Sequence, residues 1–111
     1  MGIVSNNNQY QSCIDECSTC AQACMECMKM CIEEPDVSAR KNCIAKLNEC
    51  ISICHGATNF MITNASHSKD VCNLCETICN ECAQECSMFK DDHCTQCADV
   101  CRKCASECAA M

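Results

Sequence analysis

The chemistry available to this chain lies in its cysteines, which make up 19 of its 111 residues. They fall into four blocks. The first holds Cys13, Cys17, Cys20, Cys24, Cys27 and Cys31, in alternating steps of four and three. The second holds Cys43, Cys50 and Cys54, with Leu47 on the beat where a cysteine is missing. The third is Cys72, Cys75, Cys79, Cys82 and Cys86, and the fourth Cys94, Cys97, Cys101, Cys104 and Cys108, both in steps of three and four. Thiolates are soft ligands that select Cu(I), zinc or iron–sulfur clusters. Side chains three and four apart on a helix have Cβ atoms about 5–6 Å apart, whereas a disulfide wants about 3.5–4.5 Å. Cysteines of one helix are therefore badly placed to oxidise with each other and well placed to hold a metal ion between two sulfurs.

The steps average 3.5 residues, the a/d seam of a heptad with cysteine where leucine usually stands. Four such blocks predict helices near 9–33, 37–63, 67–88 and 92–109. Glu34-Pro35-Asp36 ends the first helix and opens the second, with Asp36 as the expected N-cap. Asn64 to Ser68 separates the second and third, with Ser66 or Ser68 as cap, and Lys90-Asp91-Asp92 separates the third and fourth, with an Asp cap. Connections this short make neighbouring helices antiparallel, so the expected fold is all-α, an up-down-up-down four-helix bundle with a cysteine-lined core. Residues 1–8 are polar and Asn-rich and are expected to fray, leaving one domain over 9–111.

An aliphatic core of ordinary size is excluded, because only 17 residues are Ile, Leu, Val, Phe or Tyr. Apolar residues off the seam are Met25, Met28 and Ile32, then Ile44, Ile51, Ile53, Phe60 and Ile62; part of this set should flank the core and the rest suggests a subunit interface. No apolar stretch reaches membrane-spanning length. Met1 to Tyr10 has neither the basic nor the apolar part of a secretory signal, and position 6 is Asn, which breaks the myristoylation pattern. A cytoplasmic protein is expected, where thiols stay reduced and cysteine-rich patterns read as metal sites. The odd cysteine count also argues against a fully paired disulfide scaffold. The net charge of −7 with scattered basic residues disfavours nucleic acid, and two glycines leave no phosphate loop.

Charge separates the candidate metals. Ionising all 19 thiols would carry the net charge from −7 to −26, and one Cu(I) per thiol would return it to −7. Zinc in four-cysteine sites would take only about five ions and leave roughly −16, with the excess buried. A monovalent soft metal near one-to-one is favoured, and many near-equivalent ligands in a tube make a reservoir. The chain is not expected to be an enzyme. A thiol oxidoreductase needs a low-pKa Cys exposed at a helix N-terminus, and these CxxC pairs recur mid-helix. Iron–sulfur carriers are disfavoured by the lack of loop cysteines. A zinc-thiolate sink or metallothionein-like buffer is the alternative. Neutral thiols packing as small hydrophobes would let the metal-free chain fold.

Beyond the thiols, His93 beside Cys94 is the candidate ligand at the mouth of the tube. His55 is expected to face outward or flank the seam, and His67 to lie in a turn. Met61 and Met111 continue the seams of the second and fourth helices, as thioether ligands or core filling. Tyr10 is expected to plug that end. Arg102 and Lys103 beside Cys104 are expected to be surface cations.

The steps within Cys13–Cys31, the segments "CIAKLNECISIC" (Cys43–Cys54) and "CNLCETICNECAQEC" (Cys72–Cys86), and above all "HCTQCADVCRKCASEC" (His93–Cys108), resemble the bacterial copper storage proteins, in particular the branch without an export signal. The resemblance covers about residues 9–110. It implies Cu(I) storage that also protects against free copper, with the cysteines pointing into the bundle and copper entering at one open end near histidines, here His93. It also implies a homotetramer of bundles, loaded and unloaded by a copper chaperone or low-molecular-weight thiols.

Overall fold

The structure is a computed structural model that describes residues 8–111. Among them are four α-helices: α1, Gln11–Ile32; α2, Lys41–Ile62; α3, Ser68–Cys86; and α4, Asp92–Ala109. A 3₁₀ turn, Val37–Arg40, precedes α2. Each helix packs on its two neighbours around the bundle, α1 on α2, α2 on α3, α3 on α4 and α4 on α1. This is the up-down-up-down bundle that short connections between antiparallel helices dictate. No described helix is long and apolar enough to cross a membrane.

The fraying expected over residues 1–8 lies outside the described residues, except at Asn8. There the side-chain Oδ1 accepts a hydrogen bond from the Tyr10 N–H at 2.8 Å, and the Asn8 carbonyl accepts from Gln11 at 3.0 Å. This Asx turn fixes the start of α1 two residues later than the periodicity suggests. Tyr10 is half-buried against the core, as a plug should be.

The expected side-chain caps do not form. Asp36 and Asp91 stand at N-cap positions without a capping hydrogen bond, because both carboxylates are engaged by Arg40. Ser66 is exposed, and the Ser68 hydroxyl donates to the carbonyls of Phe60 and Ala65, tying the end of α2 to the start of α3. The second helix differs too. Arg40 leaves the helical region (φ −106°, ψ 11°), so that 37–40 is a separate 3₁₀ turn rather than the first turn of a continuous helix. At the other end of α2, Asn64 adopts a left-handed conformation (φ 51°). The N–H groups of Ala65 and Asn64 bond to the carbonyls of Phe60 and Met61, a Schellman termination that asparagine tolerates.

All 19 cysteines are buried, none more than 3% exposed. Leu47 does fill the missing beat, and Ala57 and Met61 carry the α2 seam onward, all three fully buried. Ala21, Ala83, Ala98 and Ala105 are buried beside the seam and let the helices approach closely. Of the off-seam residues, Ile51 is buried and Met28, Ile44, Ile53 and Phe60 are half-buried, while Met25, Ile32 and Ile62 stay exposed. Among the described residues, Leu47 is the one large aliphatic side chain that is fully buried. Replacing it by alanine (Leu47→Ala) is expected to destabilise the metal-free protein by about 2–5 kcal/mol, measured by urea unfolding under reducing conditions.

Candidate metal centre

The heptad register turns every thiol toward the bundle axis, and the sulfurs meet across helices as well as along them. At the end formed by the start of α1 and the end of α4, Cys13 and Cys108 have Sγ atoms 3.5 Å apart. Cys17 and Cys104 follow at 3.7 Å and form a quartet with Cys54 and Cys75. Farther along, Cys20 reaches Cys50 at 3.7 Å and Cys101 at 3.8 Å, and Cys50 reaches Cys79 at 3.6 Å. Cys24 contacts Cys101 at 3.7 Å and Cys97 at 3.9 Å, and Cys43 contacts Cys86 at 3.7 Å. Cys27, Cys31 and Cys94 end the column, with Cys31 and Cys94 3.7 Å apart. Two sulfurs that share a soft metal at about 2.3 Å lie about 3.8–4.0 Å apart for tetrahedral or trigonal angles. The column therefore has the spacing of bridging ligands, well outside the roughly 2 Å of a disulfide bond.

His93 joins this column. Its Nδ1 lies 3.6 Å from Cys27 Sγ and 3.5 Å from Cys94 Sγ, and its Nε2 lies 3.2 Å from Glu34 Oε1. A carboxylate beside Nε2 favours the tautomer with its proton there, leaving the Nδ1 lone pair facing the sulfurs. The ring is largely buried, and a crevice between α1 and α4, lined by Ala23, Glu26, Met30, Gln96 and Val100, opens onto Cys27, Cys97 and His93.

His55 and His67 fall outside the column. His55 is exposed on the α1–α2 side, beside Met25 and Ile62, and His67 is exposed and pairs with Asp70. Met61 is fully buried and Met111 half-buried against the core. Arg102 bonds to Ser87 and Lys103 pairs with Glu16 on the surface, as expected of solvated cations.

Arg40 is the functional residue that sequence reasoning missed. It is only 4% exposed. Its Nη1 donates to Cys31 Sγ and Cys94 Sγ, both at 3.6 Å. Nε donates to Asp36 Oδ1 at 2.6 Å, and Nη2 forms an ion pair with Asp91 Oδ2 at 2.6 Å, an oxygen that receives no other contact of hydrogen-bond geometry. The guanidinium also sits 4.4 Å from the centre of the Phe89 ring. Asp36 and, against the cost of burial, Asp91 hold the Arg40 pKa above its ordinary value, and the same guanidinium holds Asp91 below its own. The signal was present: Arg40 lies three residues before Cys43, one seam step upstream of the α2 block. A residue on that register must point inward, and an inward arginine needs anions.

The chain matches the family model described as "Copper storage protein" over residues 6–111. Among solved structures it is similar to the Cu(I)-bound copper storage protein BsCsp3, with 38% identity, a TM-score of 0.89 and coverage of 93% of this chain and 98% of that one. It is also similar to a cytosolic copper storage protein from Streptomyces lividans bearing five coppers, with 32% identity, a TM-score of 0.83 and coverage of 88% and 87%. The uncharacterised cysteine-rich protein YhjQ of Bacillus subtilis (strain 168) is 38% identical over 83 residues, 75% of this chain and 77% of that protein.

Burial pushes the Cys72 thiol up from 9.0 to about 11 and the Cys94 thiol to about 12. Below about pH 9 folded and unfolded chains both keep these protons, so stability is unaffected by them. Above it the unfolded chain releases protons that the folded chain retains, and stability falls as pH rises. Thermal unfolding of the reduced, metal-free protein is expected to move to lower temperature between about pH 9 and 12, and Cys72→Ala should lose less over that window.

Proposed function

The chain belongs to the copper storage protein family, and from that premise we propose that it is a cytosolic store holding many Cu(I) ions on the thiolates of all 19 cysteines, with His93 as a ligand at the mouth. One observation carries this reading: the thiols of all 19 cysteines are buried together, and the sulfurs that meet stand 3.5–4.0 Å apart. The structure related at 38% identity is Cu(I)-bound, and the Streptomyces lividans relative is cytosolic and carries several coppers.

Copper is cargo here. A Cu(I) ion passing through the α1–α4 crevice meets Cys27, Cys97 and the Nδ1 of His93 first. Each thiol that takes copper releases a proton, so the charge added by the metal is matched by the charge lost and the column stays near neutral. Transfer inward is thiolate exchange between sulfurs already within reach of one ion. The Cys72 and Cys94 thiols, raised by burial, stay neutral in the empty column and serve it as packing. Small thiols or a copper chaperone reaching the crevice would supply and remove the ions. Nothing in this scheme requires a catalytic residue, and bulk zinc storage is disfavoured by the negative charge that four-cysteine sites would leave buried.

We also infer a homotetramer, assembled through the face of α1 and α2. Met25, Ile32 and Ile62 are exposed there, and apolar grooves run beside Met28 and Ile44 and beside Met25 and Ile62. Sedimentation of the reduced protein should give four chains, and Met25→Asp with Ile62→Asp should shift it to smaller species without loss of helicity.

The storage reading is tested by anaerobic titration of the reduced protein with Cu(I) against a chromophoric Cu(I) chelator. Tight uptake of more than about ten ions per chain is expected, beyond the roughly five that four-cysteine sites allow. Saturation after a handful, with zinc bound as well or better, would replace it by a zinc sink.

A further inference from the structure

We propose that Cys27, Cys31, Cys94 and His93 form a tetrahedral site for one Zn(II) ion per chain, occupied when the protein carries no copper. The donor set is three thiolates and one imidazole nitrogen, a combination used by structural zinc sites. It mixes nitrogen with sulfur, unlike the all-cysteine quartet of Cys17, Cys54, Cys75 and Cys104.

Geometry supports zinc quantitatively. With Zn–S about 2.3 Å and Zn–N about 2.05 Å, tetrahedral ligands stand about 3.8 Å apart for two sulfurs and about 3.6 Å for sulfur and nitrogen. The three Sγ–Sγ distances are 3.9 Å for Cys27–Cys31, 3.9 Å for Cys27–Cys94 and 3.7 Å for Cys31–Cys94. The Nδ1 distances are 3.6 Å to Cys27 and 3.5 Å to Cys94. All four donor atoms lie within 4.8 Å of one another. Five of the six donor separations thus match a tetrahedral ion without movement of the helices.

The surroundings match as well. Glu34 beside Nε2 makes the carboxylate–histidine pair that orients a metal-bound imidazole. Arg40 donates to two of the three sulfurs. Three thiolates and one Zn(II) leave one negative charge, which Nη1 of Arg40 faces directly, while Asp36 and Asp91 hold its other nitrogens. An all-cysteine quartet such as Cys17, Cys54, Cys75 and Cys104 would keep two negative charges around the same ion, and no described hydrogen bond brings a cation to those sulfurs. The divalent ion that the column as a whole disfavours therefore leaves less negative charge on its ligands at this end, with a cation beside two of them. Bound there, it joins the end of α1 to the start of α4 and closes the sulfur ladder on that side. This inference is independent of the copper reading, since its test contains no copper.

The test titrates the reduced, metal-free, full-length protein anaerobically with Zn(II) against a chromophoric zinc chelator, and with Co(II) as an optical probe of the same site. One ion per chain should bind at least tenfold more tightly than any further ion, and Co(II) should show the intense visible bands of a tetrahedral site with sulfur-to-metal charge transfer. His93→Ala should weaken the first ion at least tenfold and shift the Co(II) bands, with helicity by circular dichroism unchanged. Glu34→Gln and Arg40→Gln should each cost about 10–100-fold in affinity, with Arg40→Lys recovering part of the loss. His67→Ala, on an exposed turn, should change nothing. Several equivalent zinc ions, or a first ion whose affinity and Co(II) spectrum ignore His93→Ala, would overturn the site. Wild-type affinity in Arg40→Gln would overturn the part given to the guanidinium in holding the ion.

Discussion

A sulfur atom must be shielded from water and kept near others without bonding to them, and the whole bundle follows from how that is done. Cysteine at both a and d positions gives the core a narrow side chain that packs like a small hydrophobe when protonated and becomes a ligand when it is not. The same spacing serves both states. Sulfurs 3.5–4.0 Å apart are in contact as neutral thiols and are also at the separation of two ligands on one ion. Burial favours the neutral form, which is why Cys72 and Cys94 titrate well above an ordinary thiol. The fold therefore does not wait for metal, and metal does not need a different fold.

A core of this kind gains little from aliphatic burial, so the remaining large side chains are placed where sulfur leaves a gap. Leu47 and Met61 are fully buried on α2, and alanines flank the seams on α1, α3 and α4. Antiparallel helices with such small interiors approach closely, and this brings Cys20 of α1 within reach of both Cys50 of α2 and Cys101 of α4. Membership of the copper storage protein family places the chain among proteins whose relatives carry several coppers in the same architecture.

The mouth breaks the monotony of the column. Arg40 is a buried cation held by Asp36, Asp91, the sulfurs of Cys31 and Cys94 and the ring of Phe89. These partners come from the turn before α2, from the end of α1, from the segment joining α3 to α4 and from the first turn of α4. One guanidinium thus ties together four parts of the chain at the place where the histidine and a crevice from solvent also meet. Its fixed charge makes this end of the ladder electrostatically unlike the rest, where the sulfurs described have only other sulfurs as hydrogen-bonding partners.

Much of this was legible beforehand. Steps of three and four fix the helix period, the face of each cysteine and the blank at Leu47, because a helix places side chains by register alone. Pro35 and the polar breaks fix the connections, and the "HC" opening of the fourth block marks His93. What register could not supply was the partner of each polar group. Asp36 and Asp91 read as helix caps, since locally an aspartate before a helix has nothing better to bind. Folding brings a guanidinium to both, and an ion pair with charge-assisted hydrogen bonds outcompetes a single backbone N–H. Sequence determined which side chains face the axis. Only the tertiary structure decided which sulfurs meet across helices, that Glu34 stands behind His93, and that Arg40 lies between two thiols, because those are distances between segments tens of residues apart, set by how four helices pack.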